Sequence, residues 1–195
     1  MNSNLLCKKK RLLLIITGIA ASGKSTLAEK LGKKYNFSVL SLDSYKIKVY
    51  EQYGFLNETE RLLMRDLAIC QFKATIIELA RCSKPIIVEY PFDSSWQEFF
   101  DFISQQYNYN NIVINCNTRD FNEIWNSRVT RDSDFTTREK CLTASVYVKN
   151  KLYKSNGKLN AAYKEVKRKE YESGKYTSLQ GHHIFTDKEF STLVL

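Results

Sequence analysis

The sequence predicts a three-layer α/β/α fold in which a five-stranded, mostly parallel sheet is covered by helices on both faces. Short runs of β-branched and other apolar residues alternate with longer segments of helical periodicity, the pattern of successive strand–helix–strand units. The first run, residues 11–17, is apolar along its length, as expected for a parallel strand buried on both faces. No repeat or low-complexity linker interrupts the chain, so residues 1–195 are expected to form a single domain.

Five segments have the composition of buried strands. Each is short, rich in Val, Ile, Leu or Phe, and bounded by turn-forming or polar residues. These predicted strands are residues 11–17, 37–42, 85–90, 111–116 and 182–186. Because helix-like segments separate them, parallel pairing through helical crossovers is expected.

Helical segments are predicted between the strands. The first begins at about Lys24. The second begins after Asn57, because Asn57 and Glu60 have the spacing of an N-cap residue and its N3 partner. The buried face of this second helix is predicted to contain Leu63, Leu67, Cys70, Ala74 and Ile77.

Further helices are predicted later in the chain. Ser95 and Glu98 mark the start of one helix, and Thr118 is predicted to cap the next. Residues 137–172 are predicted to be mostly helical, and residues 187–195 to form a short closing helix. The buried face of the helix after Thr118 is predicted to contain Phe121, Ile124, Trp125 and Val129.

Composition limits the class of protein. Thirty Lys and Arg against 21 Asp and Glu give a formal charge of +9, which favours anionic partners such as nucleotides, phosphorylated metabolites or nucleic acid. No apolar run approaches the roughly 20 residues that cross a bilayer, so no membrane partner is expected. The five cysteines are widely spaced without a C-x-x-C pair, which indicates neither a disulfide framework nor a zinc site. A cytoplasmic location is expected.

Residues 8–31, KKKRLLLIITGIAASGKSTLAEKL, fit two incompatible interpretations. A basic cluster, an apolar run and then AAS is how a secretory signal peptide is built. The same segment contains GIAASGKS at residues 18–25, which matches G-x-x-x-x-G-K-S/T, the loop that holds nucleotide phosphates. The second interpretation is favoured because a predicted strand precedes the loop and a predicted helix starts at the lysine itself.

Positions within this loop have separate roles in binding phosphate. Gly18 and Gly23 permit backbone conformations that turn successive N–H groups inward, and the following helix directs its positive end at the same phosphates. Lys24 adds a full charge, Ser25 offers a hydroxyl to Mg²⁺, and Thr26 is expected near the α-phosphate. ATP and Mg²⁺ are therefore the expected cofactors. The predicted ATP-binding residues are Gly18, Ala21, Ser22, Gly23, Lys24, Ser25 and Thr26.

Between residues 11 and 131 the sequence resembles the small P-loop kinases. This group contains nucleoside and nucleotide kinases, small antibiotic phosphotransferases and the kinase half of polynucleotide kinases. The resemblance rests, in this order, on LLLIITGIAASGKSTLAEKLG, VLSLDSYK, IIVEYPFD and NIVINCNTRDFNEIWNSRVTR, with a weaker echo in HHIFTD. It implies a P-loop NTPase fold with a helical lid, here residues 128–175, and ATP-dependent phosphate transfer to a hydroxyl group.

The resemblance also implies roles for single residues. Asp43, in LDSYK, matches the carboxylate that orients and deprotonates the accepting hydroxyl, and capping of a following helix is the alternative. Glu89, at the end of the third strand, matches an acid that orients Mg²⁺. The alternative is a strand end that has reached solvent, with Asp93 as a substitute. Arg128 and Arg131 match lid arginines that neutralise the transferred phosphate, unless they only form a solvated helix face.

Three functions remain compatible with these residues. The leading hypothesis is an ATP-dependent kinase whose acceptor is a small molecule such as a nucleoside, nucleotide or antibiotic. A polynucleotide 5′-hydroxyl kinase is the second, because basic residues and tyrosines are interleaved over residues 149–175, although a solvated helix face has the same composition. The third is a nucleotide-binding ATPase or switch without a dedicated acceptor, which would leave Asp43 and the lid arginines without a role.

Overall fold

A computed structural model describes residues 11–116, 120–136, 138–155, 161–180 and 182–185. Its strands are β1 (Arg11–Thr17), β2 (Ser38–Ser41), β3 (Ile86–Glu89), β4 (Tyr109–Asn115), β5 (Ala144–Val148), β6 (Leu152–Ser155) and β7 (His182–Phe185). Five of them form one parallel sheet in the order β2-β3-β1-β4-β7. The five predicted strands and their parallel arrangement are confirmed.

The carboxyl ends of three strands meet at one edge of this sheet. In the strand register, Ile16 of β1 lies beside Glu89 of β3, and Glu89 lies beside Ser41 of β2. In open parallel sheets the crevice outside these strand ends is where ligands bind. The loops that follow β1, β2 and β3 are therefore placed to share one site.

Six α-helices in the described part of the chain complete the α/β architecture. They are α1 (Lys24–Tyr35), α2 (Leu42–Tyr53), α3 (Glu58–Arg81), α4 (Gln97–Tyr107), α5 (Phe121–Ser133) and α6 (Ala161–Glu172). Short 3₁₀ helices span Ser94–Trp96, Glu139–Thr143 and Lys175–Thr177. The predicted start of the first helix at Lys24 is confirmed.

Alternate residues of β1 belong to two separate cores, as expected for a strand covered on both faces. Leu13 and Ile15 pack with the α3 and α4 side, which includes Phe72. Leu14 and Ile16 pack with the α1 side. Since Phe72 is fully buried, its truncation to alanine would cost about 3–5 kcal/mol of folding free energy. Packing on both faces of β1 thus fixes the position of its carboxyl end.

Helix α2 and the buried face of α3 differ from the sequence prediction. Asp43 lies in the first turn of α2 and not at its N-cap, which is Ser41. The start of α3 is confirmed, because the Asn57 side chain accepts a hydrogen bond from the Glu60 N–H at 2.9 Å. The predicted buried face of α3 is wrong: Leu63 is exposed. The residues buried on α3 are Ala68, Phe72, Ile76 and Ala80. Apolar residues occur on several faces of α3, so the periodicity of the sequence alone does not identify its buried face.

Residues 139–155 do not form the helix that was expected within 137–172. Strands β5 and β6 pair as an antiparallel hairpin, and Asn150 in their connection adopts a left-handed conformation with φ 58°. Asparagine tolerates this conformation better than most residues and is common in such turns. The β-branched and aromatic residues of Ala144–Val148 then favour a strand over a helix. Among the described residues of this region, helical structure comprises the 3₁₀ helix Glu139–Thr143 and α6.

The hairpin is attached to the α2–α3 connection. Phe55 and Tyr147 exchange two backbone hydrogen bonds of 2.8 Å. Gly54 has φ 70°, and a Cβ atom there would lie 2.7 Å from the carbonyl oxygen of Tyr147. Only glycine fits this close approach without strain. The hairpin is therefore held against the two helices that follow β2.

Helix α5 differs from its prediction at two points. Its N-cap is Asp120, whose side chain accepts a hydrogen bond from the Asn122 N–H at 2.7 Å, whereas Thr118 lies outside the described residues. Val129 is exposed, and Arg128 is buried in its place. The predicted burial of Phe121, Ile124 and Trp125 is confirmed. Because a buried arginine is unusual, Arg128 on the inner face of α5 indicates a role other than packing.

The predicted closing helix over residues 187–195 lies outside the described residues. Among the helices that the structure describes, none combines the length and the apolar character needed to cross a membrane.

Candidate active site

The loop between β1 and α1 has the backbone expected of a phosphate cradle. Gly18 has φ 138° and Gly23 φ 94°, both in the region that favours glycine, and Ala21 is left-handed with φ 68°. The N–H of Ser22 donates to the carbonyl of Ile19 at 3.2 Å, which closes the turn. Helix α1 has no side-chain cap and no acidic residue in its first turn. Its N-terminal amides and positive dipole are thus directed at the loop without competition from a capping side chain.

Two buried side chains test whether this loop fits a nucleotide phosphate. The hydroxyl oxygen of Ser22 is buried and has no hydrogen-bond partner among the described residues. Lys24 is only 6% exposed, and its Nζ donates to the carbonyl of Ile19 at 2.8 Å within the loop. A buried hydroxyl without a partner is costly, and an anion in the loop would accept from it and from the ammonium group. The residues present therefore fit a nucleotide phosphate.

Lys24 and Glu89 form the electrostatic centre of the site. Burial lowers the pKa of Lys24, and the carboxylates of Glu89 and Asp43 oppose that shift. Glu89 is 5% exposed, and burial raises the pKa of its carboxyl group, although Lys24 and hydrogen bonds from Ser41 and Ser25 oppose the shift. The acid at the end of β3 is thus inside the site, and the alternative of a strand end in solvent is wrong.

Ser25 and Glu89 supply hard oxygen donors suited to Mg²⁺. No group of three or more His, Cys, Asp or Glu side chains capable of holding a metal occurs in the described part of the chain. Magnesium keeps several waters and usually takes only one or two protein carboxylates beside the nucleotide phosphates, so the Glu89 carboxylate and the Ser25 hydroxyl are donors of the kind it uses. Asp93, the substitute considered for Glu89, instead caps the 3₁₀ helix by accepting from the Ser95 N–H at 3.1 Å.

Asp43 faces the cleft between the strand ends and α3. Its side chain is 49% exposed, and the Nζ of Lys46 lies 3.3 Å from its carboxylate. The surrounding protein alone would raise the pKa of Asp43, but Lys46 and then Lys24 outweigh this and hold it below 3.8. Lys46 also donates to the Tyr90 hydroxyl at 2.6 Å. Burial alone would lower the pKa of Lys46, whereas Asp43 and Tyr90 raise it to about 12.

The predicted lid arginines are held by an acid that the sequence analysis missed. The side chain of Asp132 is 2% exposed, and it lies 3.4 Å from Nε of Arg128 and 2.8 Å from Nε of Arg131. Arg128 is buried and its guanidinium lies over Trp125 and Tyr163, with distances of 5.6 and 5.2 Å to the ring centroids. Both arginines line the cleft. The alternative that they form a solvated helix face is wrong for Arg128.

Arg131 is electrostatically close to the centre of the site. Its charge lowers the pKa of Asp43 and also that of Lys24. The structure thus brings four predicted residues from four elements into one neighbourhood: Lys24 from α1, Asp43 from α2, Glu89 from β3 and Arg131 from α5. Two cationic and two anionic side chains thus interact electrostatically in one part of the molecule.

The cleft has a volume of about 590 Å³ and a strongly basic lining. Its walls include seven Lys or Arg side chains and three aspartates. The lining residues that the sequence analysis missed include Lys46, Arg61, Arg65, Tyr90, Asp132 and Lys167. Spacing offered one signal, because Arg61, Arg65 and Ile69 recur at i+4 along α3 and all line the cleft.

Comparisons with known proteins identify the fold. No family model and no curated protein matches the sequence. A protein from Chloroflexus aurantiacus that is assigned as a kinase matches with a TM-score of 0.70 and 18% identity, over 96% of this chain and 91% of that chain. Deoxyadenosine kinase from M. mycoides with bound dATP matches with a TM-score of 0.50 and 15% identity, over 95% and 93%.

A third match is to the Pnkp1/Rnl/Hen1 RNA repair complex, with a TM-score of 0.55 and 15% identity. It covers 86% of this chain but 49% of that chain. At such low identities the likeness concerns the fold, and the fold is that of the P-loop kinases. The glycine loop, the following helix and the parallel sheet order are the parts of that fold described above.

Proposed function

We propose that this protein is a kinase that transfers the γ-phosphate of Mg-ATP to a hydroxyl group of a small molecule. The observation that carries the proposal is the grouping of Asp43 with Lys24, Glu89 and Arg131 at one sheet edge. A loop that only bound nucleotide would need Lys24 and an acid such as Glu89. It would give no role to Asp43, a half-exposed carboxylate that faces the cleft from the first turn of α2.

In the proposed reaction, the loop amides and Lys24 bind the phosphates of ATP and neutralise their charge. Ser25 and Glu89 would hold Mg²⁺, which offsets negative charge on the β- and γ-phosphates when bound. Asp43 accepts a hydrogen bond from the acceptor hydroxyl and orients its oxygen toward the γ-phosphorus. The oxygen–phosphorus bond forms as the bond between the γ-phosphorus and the bridging oxygen breaks, ADP leaves, and the hydroxyl proton passes to the Asp43 carboxylate.

The low pKa of Asp43 is compatible with this role. Phosphoryl transfer passes through a loose transition state in most analyses, so the attacking hydroxyl needs orientation more than early deprotonation. A carboxylate that remains ionised at neutral pH is always ready to accept the hydrogen bond. Arg131 and Arg128 stabilise the negative charge on the phosphoryl oxygens during transfer.

A transfer screen tests the proposal. The protein is incubated with γ-labelled ATP and Mg²⁺ and a panel of nucleosides, nucleotides, aminoglycosides and other hydroxyl compounds. We expect the label to move to a small molecule. Release of the label only as inorganic phosphate, at a rate that no acceptor changes, would instead support an ATPase or switch.

A polynucleotide 5′-hydroxyl kinase is the second candidate. The basic lining of the cleft favours it, since nucleic acid brings phosphates next to its hydroxyl end. One similar structure is an RNA repair complex. Most of the described basic residues of 149–175 lie either in the β5–β6 hairpin or on α6, which contact different helices, and Lys175 begins a 3₁₀ helix. Adding 5′-hydroxyl RNA and DNA oligonucleotides to the same screen distinguishes this candidate, because label would then move to the oligonucleotide alone.

A further inference from the structure

The wall of the cleft opposite the phosphate loop is formed by one face of α2 and one face of α3. Asp43, Lys46 and Tyr50 follow each other along α2 at helical spacing and all line the cleft. Arg61 and Arg65 line it from α3, one helical turn apart. The two helices pack side by side, so both stripes face the same space. This wall is more cationic than catalysis at Asp43 requires.

Arg61 is held in place and not simply exposed. Its side chain is 18% exposed, its guanidinium forms an ion pair with Glu58, and a hydrogen bond with Tyr50 contributes to its raised pKa. Glu58 does not line the cleft, so it anchors the arginine from outside. Arg65 is anchored in the same way by Asp66, at 2.9 Å, and its side chain is 41% exposed. Anchored guanidinium groups lose little entropy on binding an anion.

The arginines line the cleft from α3, and Asp43 lines it from the first turn of α2. Arg61 contacts Tyr50, which is two helical turns beyond Asp43 along α2, a distance of about 10 Å at 1.5 Å per residue. The nucleotide has its own cations in Lys24 and in the arginines of α5. The carboxylate partners of Arg61 and Arg65 engage Nε and one terminal nitrogen of each guanidinium, which carries five N–H donors, so further donors remain for the acceptor.

We infer that the acceptor carries a phosphate group besides its reacting hydroxyl, and that Arg61 and Arg65 bind this phosphate. The inference rests on the proposed kinase function and specifies its substrate class. With the hydroxyl at Asp43 and the phosphate at the α3 arginines, the two groups are separated by up to about 10 Å, the span of a sugar phosphate or a nucleotide. The Trp96 and Tyr90 side chains also line the cleft and add aromatic surface to it.

Calorimetric titration tests the inference in two steps. The protein is first saturated with Mg²⁺ and a non-hydrolysable ATP analogue, which fills the loop and the γ-phosphate position. Inorganic phosphate is then titrated as the probe. Arg65→Gln and Arg61→Gln are compared with the wild type, and Arg81→Gln, an exposed arginine at the end of the same helix, is the matched control.

We expect phosphate to bind the wild type and the Arg81→Gln variant equally. Either cleft variant should bind phosphate at least about tenfold more weakly than the wild type, which is the loss expected for one charged hydrogen-bonding group. Because Arg65 is the more exposed residue, its variant should fold normally even if Arg61→Gln does not. Absence of phosphate binding in the wild type, or equal binding in all variants, would overturn the inference.

The same experiment separates the inference from the proposed function. If the ATP analogue fails to bind in the first step, the kinase proposal itself fails. If the analogue binds and the second step shows no dependence on Arg65, only the acceptor inference fails. Competition then distinguishes two sources of the phosphate: displacement by ribose 5-phosphate but not by a 5′-hydroxyl dinucleotide supports a small phosphorylated acceptor. The opposite result would assign the site to a nucleic acid chain.

Discussion

The two walls of the cleft are built in different ways. The nucleotide wall is made largely of backbone: a loop with three residues at positive φ, the amides of α1, and the nearly buried side chains of Lys24 and Glu89. The opposite wall consists of side chains on α2 and α3 that are partly exposed, among them Asp43 and Arg65. In the proposed kinase, phosphate binding would therefore be fixed by backbone geometry, whereas the proposed acceptor wall could change its chemistry by substitution without altering the fold.

The largest effect is expected on the nucleotide wall. Lys24→Met removes the only described ammonium group that bonds within the phosphate loop, and we expect transfer to fall by about 10³-fold or more. Single-turnover transfer from γ-labelled ATP measures this loss. Lys30→Met, an exposed lysine on the same helix, is the control and should retain full activity. Near-normal transfer by Lys24→Met would mean that the loop does not bind the reacting phosphates.

A smaller loss of activity is expected for Asp132, an acid that acts by positioning two arginines. Asp132→Asn weakens the hold on Arg128 and Arg131, so we expect kcat to fall by about 10–100-fold with little change in the KM for ATP. A purely structural role would lower the melting temperature and leave kcat of the folded fraction unchanged. Asp134→Asn, at an exposed position two residues further on, is the matched control.

On the acceptor wall, substitution of Lys46 should mainly change the pH dependence of kcat/KM. Lys46 holds the pKa of Asp43 below its usual value, so the acid limb of kcat/KM should lie below the usual range of an aspartate in the wild type. In Lys46→Met the pKa of Asp43 rises, the carboxylate becomes protonated at higher pH, and the acid limb should move to higher pH. An unchanged limb would show that Asp43 is not the titrating group.

The smallest effect concerns the support of the cleft by α6. Glu170 accepts hydrogen bonds from Lys167, Tyr176 and Lys175, and although burial opposes the shift, they lower its pKa to about 2. Its contribution to stability is complete above pH 4.5 and is lost as the pH falls toward 2. Glu170→Gln should therefore cost about 1–2 kcal/mol of unfolding free energy at pH 7 and much less at pH 2.

Urea unfolding at both pH values measures this difference. Glu172→Gln, an exposed glutamate on the same helix, should change stability little at either pH. An equal loss for Glu170→Gln at pH 7 and pH 2 would contradict the role of its charge.

The sequence predicts the nucleotide wall far better than the acceptor wall. The phosphate loop has fixed spacing, and the strand that precedes it is uniformly apolar, so Gly18, Lys24 and Ser25 could be assigned roles from local pattern alone. Asp43 and Glu89 follow because strand ends of a parallel sheet meet at one edge. Predicting these residues requires only local sequence patterns and the topology of a parallel sheet.

The remaining site residues depend on packing between distant segments. Lys46 and Arg61 reach the cleft only because α2 and α3 lie side by side, and α2 was not predicted as a helix. The role of Asp132 depends on which face of α5 is buried, and the prediction placed Val129 there instead of Arg128. A buried arginine breaks the apolar pattern that the prediction relies on.

The most direct test of the central claim is the transfer rate of Asp43→Asn. Single-turnover transfer from γ-labelled ATP to the acceptor found in the screen is measured for this variant and the wild type, together with the affinity of each for ATP. We predict that transfer falls by about 10²–10⁴-fold while ATP affinity stays the same, because in the proposed reaction Asp43 contacts the acceptor and not the nucleotide. Near-normal transfer by Asp43→Asn would contradict the account.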